Sequence, residues 1–134
     1  MSKIRGSIRK EQGDLIVKYV SKEISLKLEF FEGKQDEEKG IFEGGVKDPE
    51  CLDEINIDVI EGETFDFEKD EFVSNGKLEV HLKGSEKAFR ELGKYLIAMT
   101  YYDTKDRDYH DHFDNLTTSN GESNIDLIIY KPKK

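Results

Sequence analysis

Apolar and polar residues alternate along much of the chain, and this alternation predicts a β-sheet. Apolar side chains recur at about every second position in six short segments, which are residues 4–8, 15–19, 24–30, 55–59, 78–82 and 125–129. A two-residue period places the apolar side chains of a strand on one face, so each segment is expected to form a half-buried strand. The first three are separated by short polar stretches and predict adjacent antiparallel strands. The last contains Leu127-Ile128-Ile129, which is apolar on both faces and predicts a central strand.

A different period appears between residues 86 and 102 and predicts a helix. Apolar residues there are spaced one and three apart, Ser85 is a suitable N-cap, and Glu86 suits the positive end of the helix dipole. Gly93 within the helix suggests a close approach to the sheet. The predicted fold class is α+β: a single antiparallel, twisted sheet of about six strands, with one long amphipathic helix packed on one face. Residues 1–134 are expected to form a single domain.

The pair Asn75-Gly76 is the strongest turn signal in the chain. It predicts a hairpin in which a three-residue loop or a bulge brings Phe72 opposite Leu78. Phe65 and Phe67 precede this turn. Because the chain is only 35% hydrophobic, these aromatic side chains are expected in the core, with exposed contact residues as the alternative.

The charge balance restricts the partners. The sequence has 21 basic and 30 acidic residues, for a formal net charge of −9. Nucleic acids and anionic membranes attract basic surfaces, so neither is an expected partner. No segment reaches the roughly 20 apolar residues of a membrane-spanning helix. The single cysteine, Cys51, and the lack of a signal-peptide pattern favour the cytoplasm.

Negative charge is concentrated in two segments, which are candidate contact surfaces for a basic partner. The first is a predicted strand and turn with Glu61, Glu63, Asp66, Glu68, Asp70 and Glu71. The second precedes the last strand and contains Asp103, Asp106, Asp108 and Asp111. Acidic surfaces of this kind accelerate association with cationic clefts, such as those of many nucleases.

Two of the three histidines lie in the segment 109–116, which has two possible conformations. If it is extended, His110, His112 and Asp114 share one face and could bind a metal ion. If it is helical, Tyr109, Phe113 and Leu116 form an apolar stripe and His110 pairs with Asp114 one turn later. The helical form uses the apolar residues better and is favoured. A small metal-binding or hydrolytic enzyme built on the three polar residues remains an alternative function.

The same segment carries a family resemblance. The residues that carry it are Tyr109, His110, His112, Phe113 and Asp114, together with the amphipathic helix before them and the aliphatic strand after them. This pattern resembles the immunity protein 32 family of bacterial polymorphic-toxin systems. The resemblance covers about the last third of the chain. It implies a cytoplasmic antidote that binds and neutralises a cognate protein toxin, with no catalysis and no cofactor. A non-catalytic ligand-binding or scaffold module is a further alternative.

Overall fold

The structure, a computed structural model, describes residues 17–33 and 44–133. This part of the chain has an α+β fold with one α-helix, a mixed sheet of four strands and a separate sheet of two short strands. The elements in chain order are β1 (Phe30–Phe31), β2 (Gly45–Val46), a short 3-10 helix (Leu52–Glu54), β3 (Asn56–Asp66), β4 (Glu71–Lys83), α1 (Glu86–Tyr101), β5 (His110–Thr117) and β6 (Asn124–Tyr130). The predicted fold class is therefore confirmed, whereas the single antiparallel six-stranded sheet is wrong.

The three strands predicted in the first third of the chain lie partly outside the described residues. The segment 4–8 and the start of 15–19 lie outside the described residues. Of the segment 24–30, only Phe30 belongs to a strand, so the strand predicted there is wrong. Ile24 and Leu26 instead line a surface groove with Gly93 and Ile97 of α1. The alternating apolar residues of this segment therefore lie along the helix.

The strand order of the larger sheet is β4-β3-β5-β6. The outer pairs, β3 with β4 and β5 with β6, are antiparallel hairpins. The central pair, β3 with β5, is parallel and has one register pair, Asn56 opposite Thr117. Since the beginning of β3 lies beside the end of β5, β3 and β4 continue past the rest of the sheet. We call this β3–β4 hairpin the arm.

Among the described strands β6 lies at the edge of the sheet, so the prediction of a central position for the last strand is wrong. Leu127 and Ile129 pack against the core from one face, and Ile128 is exposed on the other. An apolar residue on the outer face thus does not require a central strand.

The helix prediction is confirmed. The Ser85 hydroxyl accepts a hydrogen bond from the Ala88 backbone N–H at 3.1 Å, which satisfies one of the free donors at the helix start. The expected close approach at Gly93 is wrong, because a side-chain carbon there would meet no atom within 4 Å. The buried face of α1 packs against the 3-10 helix and β5, and the core consists of Val46, Leu52, Ile55, Ala88, Leu92, Tyr95, Ala98, Met99, Tyr102, Phe113 and Leu116.

The turn of the arm lies at residues 67–70, so the turn predicted at Asn75-Gly76 is wrong. The Asp66 carboxylate accepts hydrogen bonds from the backbone N–H groups of Glu68 and Lys69, which closes this turn. Asn75 and Gly76 instead lie in β4, at an irregularity where β4 has two extra residues opposite Gly62. A side-chain carbon at position 62 would approach the Asn75 amide oxygen to 2.7 Å, so a larger residue there would require the Asn75 side chain to move.

Candidate interaction surfaces

The outward face of the β5–β6 hairpin carries the polar residues of the motif. The His110 ring lies 4.7 Å from the Tyr130 ring and 5.0 Å from the His112 ring, measured between centroids. His112 Nδ1 lies 3.1 Å from a carboxylate oxygen of Asp126. We call His110, His112, Asp126 and Tyr130 the histidine face. Tyr130 and Asp126 were missed by the sequence analysis because a strand partner depends on the register, which local spacing does not specify.

The inward face of β5 explains the spacing that suggested a helix. Between Phe113 and Leu116 the register with β6 shifts, since three steps along β5 oppose two steps along β6. This bulge returns Leu116 to the same buried face as Phe113. The helical form of the segment and its His110–Asp114 pair are therefore wrong. The extended alternative is correct, and His110, His112 and Asp114 are all exposed.

A buried tyrosine network connects this hairpin to the helix. The Tyr95 hydroxyl of α1 donates a hydrogen bond to an Asp111 carboxylate oxygen at 2.5 Å, and the Tyr109 hydroxyl donates one to the same oxygen at 3.2 Å. The Tyr109 hydroxyl also accepts a hydrogen bond from the Val46 backbone N–H at 3.0 Å. Asp111 is therefore half-buried and serves to position β5 against α1. Spacing alone gave no signal for this contact, because its partners are far apart in sequence.

Burial, followed by the neighbouring Asp111 carboxylate, raises the pKa of the Tyr95 hydroxyl. Burial likewise raises the pKa of Tyr109, to about 12 from the ordinary value of 10.0. The folded state thus favours the neutral phenols, so the stability that Tyr109 contributes is complete below pH 10 and is lost as the pH rises through 12. In an alkaline titration followed by phenolate absorbance, Tyr95→Phe should remove a group that ionises later than an ordinary phenol. Loss of a group that ionises in the ordinary range would contradict the network.

The metal alternative gains no support from the described geometry. His110 Nδ1 donates to the Asp108 carbonyl oxygen at 2.6 Å, and His112 faces Asp126. In residues 17–33 and 44–133, no three His, Cys, Asp or Glu side chains converge in a way that could hold a metal ion.

The first acidic segment forms the end of the arm. We call its six residues, Glu61, Glu63, Asp66, Glu68, Asp70 and Glu71, the acidic tip. All except Asp66 are exposed, and Asp66 closes the turn. Within the described ranges, no Lys, Arg or His forms an ion pair with any of the six. Their negative charge therefore faces solvent without a neutralising partner in this part of the chain.

The second acidic segment lies in the loop between α1 and β5 and is partly engaged in local contacts. The Asp106 carboxylate accepts a hydrogen bond from the Asp108 backbone N–H at 2.9 Å, and Asp111 belongs to the tyrosine network. Asp103 and Asp108 are exposed. This segment thus presents fewer uncommitted carboxylates than the acidic tip.

One face of the arm carries large apolar side chains that no other described residue covers, which the sequence analysis did not anticipate. The register places Val59 opposite Val80 and Phe65 opposite Phe72, with Leu78 between them on the same face. Val59 is 60% exposed, Leu78 71%, Val80 67% and Phe72 65%. Phe67, expected in the core, is 87% exposed, so that expectation is wrong. We call Val59, Phe72, Leu78 and Val80 the apolar strip.

The comparisons with known proteins address the part of the chain that contains the histidine face. Residues 79–132 match the model of the immunity protein 32 family. No curated protein and no solved structure matches the chain. The resemblance that the motif suggested is thereby confirmed for the C-terminal part of the sequence.

The segment that matches the immunity protein 32 model runs from Glu79 in β4 through α1, β5 and β6. It includes the histidine face and the tyrosine network, and it ends just after β6. The acidic tip lies outside it, in the preceding part of the arm. No helix in the described ranges is long and apolar enough to cross a membrane.

Proposed function

We propose that this protein is an immunity protein that binds a cognate toxin protein and neutralises it by forming a complex. The observation that carries the proposal is the family match, because it covers the helix and both strands of the β5–β6 hairpin. We also propose that residues 1–134 form one domain that acts in the cytoplasm, without catalysis and without a cofactor. Its activity is then stoichiometric binding.

The charge distribution suggests which part of the toxin is bound. A cationic surface, such as the cleft with which a nuclease holds its substrate, would be attracted to the acidic tip and would be blocked once the complex has formed. Nucleic acid is not an expected partner of a chain with a net charge of −9. The motif residues would contribute in two ways. Those on the outward face would contact the toxin, and the buried ones would stabilise the fold that presents them. The motif consists of Tyr109, His110, His112, Phe113 and Asp114.

The direct test is neutralisation in cells. The proposal predicts a toxin gene beside the gene for this chain, and the toxin domain that it encodes is expressed from an inducible promoter, with and without the protein. We expect growth to be restored only when the protein is present, and the two purified proteins to form a one-to-one complex. An inactive toxin variant serves as the control for expression burden. Failure to restore growth, together with the absence of a complex, would exclude the proposal.

A further inference from the structure

We infer that the apolar strip of the arm is the toxin-docking surface, and that its partner is a basic protein surface with an apolar centre. The inference rests on the proposed function. It adds the location of the contact and the chemistry of the surface that fits it. The observation that supports this inference is a row of four large apolar side chains on one face of a hairpin, each at least 60% exposed.

The position of the strip in the fold makes it accessible. The arm extends beyond β5, since β3 and β5 share only the register pair Asn56 and Thr117. The strip therefore lies past the end of the neighbouring strand, and none of its members belongs to the core or packs against it. Large apolar side chains that are exposed together on one face often mark interaction sites in soluble proteins. The outer edge of β4 is also unpaired within the described residues, which leaves the arm open along its length.

The negative charge on the same face indicates which kind of partner would bind the apolar strip. Glu61 lies directly opposite Leu78, and Glu63 follows two residues later on the same face, so two exposed carboxylates lie within the strip. A partner that covered the apolar side chains would also cover these carboxylates and would have to compensate them with Lys or Arg. The four other acidic-tip residues lie at the end of the same hairpin. A basic protein surface with apolar residues at its centre meets both requirements.

A second copy of this chain fits poorly by the same argument. A twofold-symmetric contact through the strip would enclose Glu61 and Glu63 of both protomers in one interface, so four carboxylates would lie close together. The described residues offer no cation paired with either side chain that could relieve this repulsion. A toxin with a cationic surface is therefore favoured over self-association.

The test replaces apolar side chains without changing charge or strand propensity. We compare Leu78→Thr/Val80→Thr with the matched control Val20→Thr/Tyr101→Thr, whose wild-type residues are similarly exposed. The probe is an inactive variant of the toxin domain used in the growth test, and binding of the full chain is followed by surface plasmon resonance. We expect the arm variant to bind about 100-fold more weakly, mainly through faster dissociation, and the control to remain within about threefold.

Four other results would contradict the inference, and each would identify a different reason. If both variants bind like wild type while wild type restores growth, the docking surface lies elsewhere and the proposed function stands. If Leu78→Thr/Val80→Thr lowers the urea midpoint of the isolated protein by much more than Val59→Thr, which breaks the same cross-strand pair, another part of this chain covers the strip. If wild type sediments as a dimer and the arm variant as a monomer, the occupant is a second copy. If wild type neither binds nor neutralises the toxin, the proposed function fails and this inference fails with it.

Discussion

Phe113→Ala should destabilise the protein by about 3–5 kcal/mol, the range for removing a buried aromatic side chain. Phe113 is buried in the core, and its ring meets that of Tyr95 edge to face at 5.1 Å between centroids. Its removal would leave a cavity between α1 and β5. Urea unfolding followed by circular dichroism would measure the loss as a lower midpoint.

The matched control is His112→Ala, which changes a motif neighbour on the opposite face of the same strand. His112 is exposed, and its contact with Asp126 is a surface pair, so we expect a change of about 1 kcal/mol or less. The two results together would divide the motif into a structural residue and a surface residue. Equal losses in both variants would contradict the orientation of β5.

Neutralising the acidic tip should slow association with the toxin. We expect Glu68→Gln/Glu71→Gln to lower the association rate constant by about tenfold at low ionic strength, since electrostatic steering increases association rates by factors of about 10 to 1,000. Both side chains are exposed and have no ion-pair partner among the described residues, so stability should be unaffected. Stopped-flow mixing with the inactive toxin domain at several salt concentrations measures the effect.

The control for this experiment is Glu32→Gln/Asp53→Asn, which removes the same number of negative charges from exposed positions outside the arm. If net charge alone determines the rate, both variants will slow association equally, and the acidic tip will have no special role. If the tip steers the toxin, only its variant will lose most of the salt dependence. In either case the difference between a slowed variant and wild type should decrease as salt screens the charges.

The sequence predicted the helix well because its signals are local. Ser85 caps it, and one apolar stripe defines its length. The turn of the arm was misplaced because Asn75-Gly76 also suits a bulge: Gly76 has a φ of +78°, which glycine adopts without strain. The bulge in β5 similarly produced the spacing of a helix. Local patterns therefore identified the elements better than the irregularities within them.

The acidic segments could be read from the sequence, whereas the apolar strip could not. Alternation at Leu78 and Val80 correctly indicates that one face of the strand is apolar. Whether that face is covered depends on where the neighbouring strands end, which is set by pairings such as Asn56 with Thr117. The histidine face has the same origin, since His110 meets Tyr130 only through the register of β5 and β6.

The narrow junction between β3 and β5 divides the sheet into two parts with unequal protection from solvent. Beyond the backbone pairing, Asn56 Nδ2 donates to the Thr117 hydroxyl at 3.1 Å, and the Asp58 carboxylate accepts a hydrogen bond from the Ser119 N–H at 3.0 Å. The arm has few other links to the core, so its backbone hydrogen bonds can open while the core stays folded. Amide hydrogens in the arm should therefore exchange with deuterium through local opening, and those of α1 and β5 through global unfolding. A bound toxin that spans the junction would make the two parts exchange as one cooperative unit.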